Sequence, residues 1–342
     1  MTTAYVTHEK YTIHDLPGHP EHAGRLRAIW EELDGGGLTK RMKRIEPELV
    51  SDEQILTVHT QEHVDNLNLI SHQGGMSRFD ADTYALPETP EIARLSAGGV
   101  VKAVDAVLNG DANNGLAVVR PPGHHAIPSR GMGFCILGNV AIATHHAQKQ
   151  HQLERVLIVD YDVHHGNGTQ DMFYNDDSVM FISSHQFPFY PGSGGIDETG
   201  ADKGKGYTLN IPLTIGNGDK NYARVYNEIV WESAKRFRPE LIIVSAGFDA
   251  HWTDPLASMQ LSLTGYANIT RKLIQMADTL CGGKIVFVLE GGYDLQALAY
   301  GVRNVAHTLL GDDTIVDPLG KKGLHEPNID KLIAALKTIH NL

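Results

Sequence analysis

The sequence predicts an α/β domain built on a mostly parallel β-sheet with helices on both faces. Three observations predict it. Short β-branched runs alternate along the chain with segments of helical periodicity. Those runs are apolar at successive positions, as in strands buried on both sides, rather than alternating between apolar and polar. Four of them stop abruptly at polar clusters rich in His, Asp and Gly, and sites in open parallel sheets form beyond the carboxyl ends of strands.

In chain order the expected strands are Ala4–Thr7, Leu116–Val119, Val156–Tyr161, Val179–Ser183, Tyr207–Ile211, Leu241–Ser245 and Ile285–Leu289. Leu26, Ile29, Trp30 and Leu33 form an apolar helical stripe after the first strand. Tyr266, Ile269, Leu273, Met276 and Leu280 form another, and Leu295, Leu298, Val302, Val305 and Leu309 a third. Ile329, Leu332, Ile333, Leu336 and Ile339 mark a last helix. The stretch from Gln186 to Lys205, rich in Gly, Pro and aromatic residues, is long for an ordinary connection and reads as a functional loop. No internal repeat or Pro/Ser-rich linker divides the chain. One domain over residues 1–312 is expected, with residues 313–342 an appended loop and helix packed on it.

With 342 residues and 42% hydrophobic content the chain can fill a large core. A net charge of −12, spread without long acidic blocks, argues against a non-specific grip on nucleic acid or an anionic membrane. Cys135 and Cys281 are the two cysteines and neither lies in a Cys-x-x-Cys pair. That argues against a disulfide scaffold and fits a reducing cytoplasm. The N-terminal residues carry no basic segment followed by an apolar stretch, so neither a signal peptide nor a membrane span is expected.

The chemistry collects at the four strand ends. Leu116–Val119 leads into Arg120-Pro121-Pro122-Gly123-His124-His125, and Val156–Val159 into Asp160-Tyr161-Asp162-Val163-His164-His165. Leu241–Val244 leads into Ala246-Gly247-Phe248-Asp249, and Ile285–Leu289 into Glu290-Gly291-Gly292-Tyr293-Asp294. Taken singly, each has a plainer reading. Asp249 is a helix cap, His124-His125 a surface turn, Tyr293 a core tyrosine beside a tight turn. The Asp160/Asp162/His164 set resists this. In an extended chain the three share one face, and buried carboxylates need a positive partner. Together, Asp162, His164 and Asp249 supply O, N and O ligands to a divalent metal and leave a position open, as catalytic zinc sites do. Zinc acidifies water that it binds and polarises a carbonyl. The His124-His125 pair offers a base and an acid near neutral pH, and Tyr293 a donor to an oxyanion. This is equipment for metal-assisted hydrolysis of an amide.

These residues resemble a known family. Arg-Pro-Pro-Gly-His-His-Ala (120–126), Gly-Phe-Cys (133–135), Asp-Tyr-Asp-Val-His-His-Gly-Asn-Gly-Thr-Gln (160–170), Phe-Asp-Ala-His-x-x-Asp-Pro-Leu (248–256) and Leu-Glu-Gly-Gly-Tyr-Asp (289–294) resemble histone deacetylases of the class II and bacterial type. Pro17-Gly18-His19-Pro20-Glu21 fits the same branch, and the likeness covers about the first 310 residues. The resemblance implies an arginase-like fold with an eight-stranded parallel sheet. It implies Zn²⁺-dependent hydrolysis of N-acetyl-lysine, in a protein or peptide, to acetate and free amine, or of an acetylpolyamine or other small acetylamine. Asp162, His164 and Asp249 would hold the zinc. His125 would be the main base and acid, Asp160 would orient His124, Asn167 would sit behind His125, and Tyr293 would donate to the oxyanion. A structural K⁺ is implied near Asp160, Asp162, His164, Ser183 and Ser184, with His185 in the neighbourhood. Gly133, Phe134 and Tyr190 resemble the walls of a tunnel for the lysine stem, and Arg25 an arginine near an acetate-release channel.

Where the family continues after Gly-Phe-Cys with an aromatic and Asn-Asn, this chain has Ile136-Leu137-Gly138-Asn139, which alters the packing behind the site. Asp80 and Asp82 are the two candidates for an acidic rim residue. Leu256 occupies the position where polyamine-selective relatives carry Glu, which favours acetyl-lysine over acetylpolyamine. A non-catalytic acyl-lysine binder would be expected to lose Tyr293 or a ligand, and neither is lost. A two-Mn²⁺ ureohydrolase would need further bridging carboxylates.

Overall fold

The computed structural model describes residues 1–323 and 325–342. Eight strands form one all-parallel sheet: β1 (Thr3–Val6), β2 (Lys43–Ile45), β5 (Asn114–Ala117), β6 (Val156–Asp160), β7 (Val179–Gln186), β8 (Thr208–Leu213), β9 (Leu241–Ala246) and β10 (Ile285–Leu289). Their order is β2-β1-β5-β10-β9-β6-β7-β8. β3 (Ser77–Arg78) and β4 (Tyr84–Ala85) make a separate antiparallel ribbon. The helices are α1 (Gly24–Gly35), α2 (Asp52–Ile55), α3 (Gln61–His72), α4 (Thr89–Leu108), α5 (Asn139–His151), α6 (Asn167–Phe173), α7 (Asp219–Val225), α8 (Trp231–Phe237), α9 (Leu263–Cys281), α10 (Leu295–Leu309) and α11 (Asp330–His340).

Every residue of β5, β6, β9 and β10 is buried, as expected for strands covered on both faces. Helices supply that cover: α1 packs on α10, α10 on α9, and α4 on α5. Ser262 and Asp294 start α9 and α10 by accepting backbone N–H bonds from Gly265 and from Gln296 and Ala297. The last helix puts Ile333 and Leu336 into the same core as the sheet. No helix among the described residues is long and apolar enough to cross a membrane.

The four strands that carry the polar clusters are the four central neighbours, β5-β10-β9-β6. Being parallel, they deliver their carboxyl ends to one side of the sheet. Asp160 pairs in register with Ser245, and Leu289 with Ala246, so the clusters that follow emerge side by side. Six of the seven expected strands shift at their ends: β1 is Thr3–Val6 rather than Ala4–Thr7, β5 Asn114–Ala117 rather than Leu116–Val119, β8 Thr208–Leu213 rather than Tyr207–Ile211, and β9 runs one residue on, to Ala246. β6 ends at Asp160 rather than Tyr161, and β7 runs on to Gln186 rather than stopping at Ser183. β2 and the β3–β4 ribbon carried no apolar run to announce them.

Candidate active site

Asp162, His164 and Asp249 converge, with one ligand atom from each lying within 4.8 Å of the others. The extended alternation expected through His164 does not hold. The chain turns after Asp160, whose Oδ1 accepts the Asp162 N–H at 3.0 Å, and Asp162 Oδ1 accepts the His164 N–H at 2.9 Å. Asp160 thereby parts from the other two and accepts at Oδ2 from His124 Nδ1 at 2.9 Å.

The imidazole Nδ1 of His164 lies 3.1 Å from Asp162 Oδ1 and 3.1 Å from Asp249 Oδ2. Burial alone would push its pKa down, but the two carboxylates outweigh burial and raise it to about 10. Burial raises Asp249 to about 7, with the Asp162 charge adding to it. Burial works the same way on Asp162, but His124 and His164 hold it below the usual carboxylate range. Two buried carboxylates facing one nitrogen require a shared proton or a divalent cation at that point. The O, N, O set fits zinc. The remaining oxygens are already held: the Gly291 N–H donates to Asp162 Oδ2 at 2.8 Å and the Val163 N–H to Asp249 Oδ1 at 2.9 Å. Glycine is required at 291, because a Cβ there would meet Asp249 Oδ2 and come 2.6 Å from Asp162 Oδ2.

The paired histidines stand beside this set with ring centroids 3.9 Å apart. Asn167 Oδ1 lies 2.8 Å from His125 Nδ1. A carboxamide oxygen only accepts, so Nδ1 carries the hydrogen and Nε2 is the free base. Burial, followed by the charges of His124 and His164, holds the His125 pKa well below its ordinary value. Burial also opposes a charged His124, but Asp160 and Asp162 outweigh it and raise His124 to about 10. Neighbouring titratable groups with diverging pKa values mark acid–base sites. Cys135, His124 and Glu290 form another convergent set beneath, where Glu290 Oε2 accepts the N–H groups of Gly123 at 2.8 Å and His124 at 3.2 Å.

A cleft of about 380 Å³ leads to these residues and is lined in part by His125, Gly133, Phe134, His164, Tyr190, Leu256 and Tyr293. Gly133 has φ +55°, and a Cβ there would strike the His125 ring. Tyr190 sits 5.2 Å from His125, edge to face, and Phe134 5.8 Å from Tyr293. Arg25 stacks over Tyr293 at 5.2 Å and donates to the carbonyls of Gly292 at 2.7 Å and Glu290 at 2.6 Å. Asp160 and Ser183 are register partners on β6 and β7, and Ser184 follows Ser183 along β7. His185 turns to Ser183 Oγ at 2.9 Å.

The histone deacetylase domain profile matches residues 19–309. This chain belongs to the histone deacetylase family. A probable deacetylase of Archaeoglobus fulgidus is 44% identical over 92% of this chain and 88% of its own length. A histone deacetylase-like amidohydrolase of Pseudomonas aeruginosa is 42% identical over 88% and 80%. Among solved structures, that of the HDA15 HD domain aligns with TM-score 0.90 and 37% identity, covering 99% of this chain and 94% of that one. The chain is therefore a deacetylase of the amidohydrolase type on the arginase/deacetylase fold.

This histone deacetylase cleft is also lined by Phe189, which the sequence did not single out, by Asp82, one of the two rim candidates, and by His19 and Pro20 of the Pro17–Glu21 motif. Phe189 stacks on His164 at 5.4 Å, and His19 holds the Asp82 carbonyl at 2.9 Å while meeting Phe134 edge to face. The Asp254 carboxylate accepts the N–H groups of Tyr293 at 2.7 Å and Asp294 at 3.2 Å. Its place in the Asp-Pro-Leu motif was the one signal available. Of the two rim candidates, Asp82 faces the cleft, whereas Asp80 Oδ1 accepts the N–H groups of Asp82 and Thr83.

Proposed function

We propose that this chain hydrolyses the amide of N-acetyl-lysine in proteins or peptides, giving acetate and the free amine, with Zn²⁺ held by Asp162, His164 and Asp249. The observation that carries this reading is an apolar-walled cleft lined by His125, His164 and Tyr293, with His124 packed on His125 and Asp162 and Asp249 converging on His164. Zinc bound there would polarise the acetyl carbonyl and acidify water beside it. The walls formed by Gly133, Phe134 and Tyr190 suit a four-methylene stem, which offers apolar surface and no hydrogen bonds. His125 Nε2 accepts a proton from the attacking water and returns it to the leaving amine, and Asn167 keeps the ring in the tautomer this requires. His124, charged beside Asp160, stabilises the negative charge that develops. The Tyr293 hydroxyl, whose pKa burial raises well above its ordinary value, stays protonated and donates to the oxyanion. A K⁺ among Asp160, Asp162, His164, Ser183 and Ser184 would stiffen the β6–β7 strand ends.

Leu256 on the cleft wall supports acetyl-lysine over acetylpolyamine, because it offers nothing to a distant ammonium. The test compares kcat/KM for acetyl-lysine peptides, acetylspermidine and acetylputrescine, before and after dialysis against a chelator. Peptide should be preferred, and activity should vanish with the metal and return with Zn²⁺. Preference for an acetylpolyamine would overturn the substrate, and activity insensitive to chelation would overturn the metal.

A further inference from the structure

At the far end of the sheet Asp105, His146 and His151 bring one ligand atom each within 4.8 Å of the others. Asp105 lies in the last turn of α4, and both histidines lie in the last two turns of α5. Each helix runs into a strand after a few residues, so these helix ends flank the amino ends of β5 and β6, opposite the catalytic cleft. Asp105 Oδ1 is 2.8 Å from His146 Nε2 and 2.7 Å from His151 Nε2. Side-chain exposures of 24%, 14% and 18% leave the trio sheltered yet reachable by a hydrated ion.

We propose that this trio is a second divalent-metal site, for a first-row ion of the Zn²⁺ type. Two imidazoles and a carboxylate are a donor set that suits such ions and not Mg²⁺ or Ca²⁺. Both rings present Nε2, the nitrogen farther from the backbone. The negative ends of two helix dipoles meet here, which favours a cation. Without the ion each Nε2 carries the hydrogen that Asp105 Oδ1 accepts. On binding, a neutral ring moves that hydrogen to Nδ1 by exchange with water, an imidazolium releases it to solvent, and Nε2 gives its lone pair to the ion. His146 then gives up its 3.4 Å contact with Gln54 Nε2, whose Oε1 stays fixed on the Ser51 N–H at 2.9 Å. The ion would tie the end of α4 to the end of α5 without touching the cleft.

The active enzyme, dialysed against micromolar Zn²⁺ and then analysed for metal, should hold about two ions per chain. His151→Ala should hold about one and keep its turnover, and His164→Ala should hold about one and lose turnover. A wild-type enzyme that turns over with a single zinc per chain overturns the proposal and leaves the catalytic reading standing. Should His151→Ala fail to fold, one equivalent of Cu²⁺ added to wild type that holds one zinc per chain, before the dialysis against zinc, decides: a bound spectrum with hyperfine splitting from two nitrogens supports the trio, and a free-ion spectrum overturns it.

Discussion

Tyr293 reaches the cleft from a loop held by its backbone. Asp254 takes the Tyr293 N–H, and Arg25 stacks on its ring, so neither anchor uses the hydroxyl. Tyr293→Phe should therefore leave fold and metal content intact while turnover falls by about 10²–10³-fold, as for loss of one oxyanion donor. Turnover equal to wild type would remove the tyrosine from the mechanism. Gly291 makes the opposite point, since its lack of a side chain is what matters. A Cβ would press on two carboxylate oxygens that cannot swing away, one held by the Gly291 N–H and the other facing His164. Gly291→Ala should lower zinc retention on dialysis and reduce stability by about 1–3 kcal/mol, the usual range for overpacking. Unchanged metal content would mean that the ligands relax freely. Sequence made the ligands and the paired histidines legible, because each follows a strand directly. Phe189 was not legible, and Asp82 could not be told from Asp80, because these residues enter from loops whose reach is set by tertiary packing.

Two elements meet at Glu21, which links the entry to α1 with the exit of β5. Arg25 of α1 donates to Glu21 Oε1 at 3.0 Å, and Arg120, just past β5, at 2.5 Å. Burial would raise this carboxyl, but Arg120 and then Arg25 outweigh it and hold it at about 2 against an ordinary 4.5. A depressed pKa contributes stability that is complete above the unfolded value and fades as pH falls from about 4.5 to about 2. The interval of about 2.5 units corresponds to roughly 3 kcal/mol. Glu21→Gln should cost about 3 kcal/mol at neutral pH and flatten the acid limb of the stability curve. An acid limb identical to wild type would show that the pair has no net effect. At this scale the sequence was read well where strands are buried on both faces. It was read poorly at β2, a three-residue edge strand of Lys, Arg and Ile. Edge strands are kept short and charged against unwanted pairing, so they carry no apolar run.

The whole molecule carries a charge of −12, and the cleft lining includes Asp82 but no Lys or Arg. Such a field draws cationic substrates without choosing among them, and its reach shrinks to about 8 Å at physiological salt. An acetyl-lysine peptide with basic flanks should thus exceed one with acidic flanks in kcat/KM at low ionic strength, the gap closing as salt rises. Choice between peptide and polyamine needs a charge at a fixed place. Leu256 is half-buried on the wall, so Leu256→Glu puts a carboxylate where a distal ammonium would lie. At an effective dielectric of about 20 the gross attraction is about 4 kcal/mol at 4 Å, but exposed pairs retain about 0.2–1 kcal/mol after screening and side-chain ordering. The smaller figure governs a solvent-lined cleft. The variant should therefore gain about 1.4-fold to fivefold in the ratio of acetylspermidine to acetyl-lysine kcat/KM, and lose the gain in high salt. A ratio that stays at the wild-type value would mean that the distal amine does not pass Leu256, and that chain length or shape discriminates between these substrates.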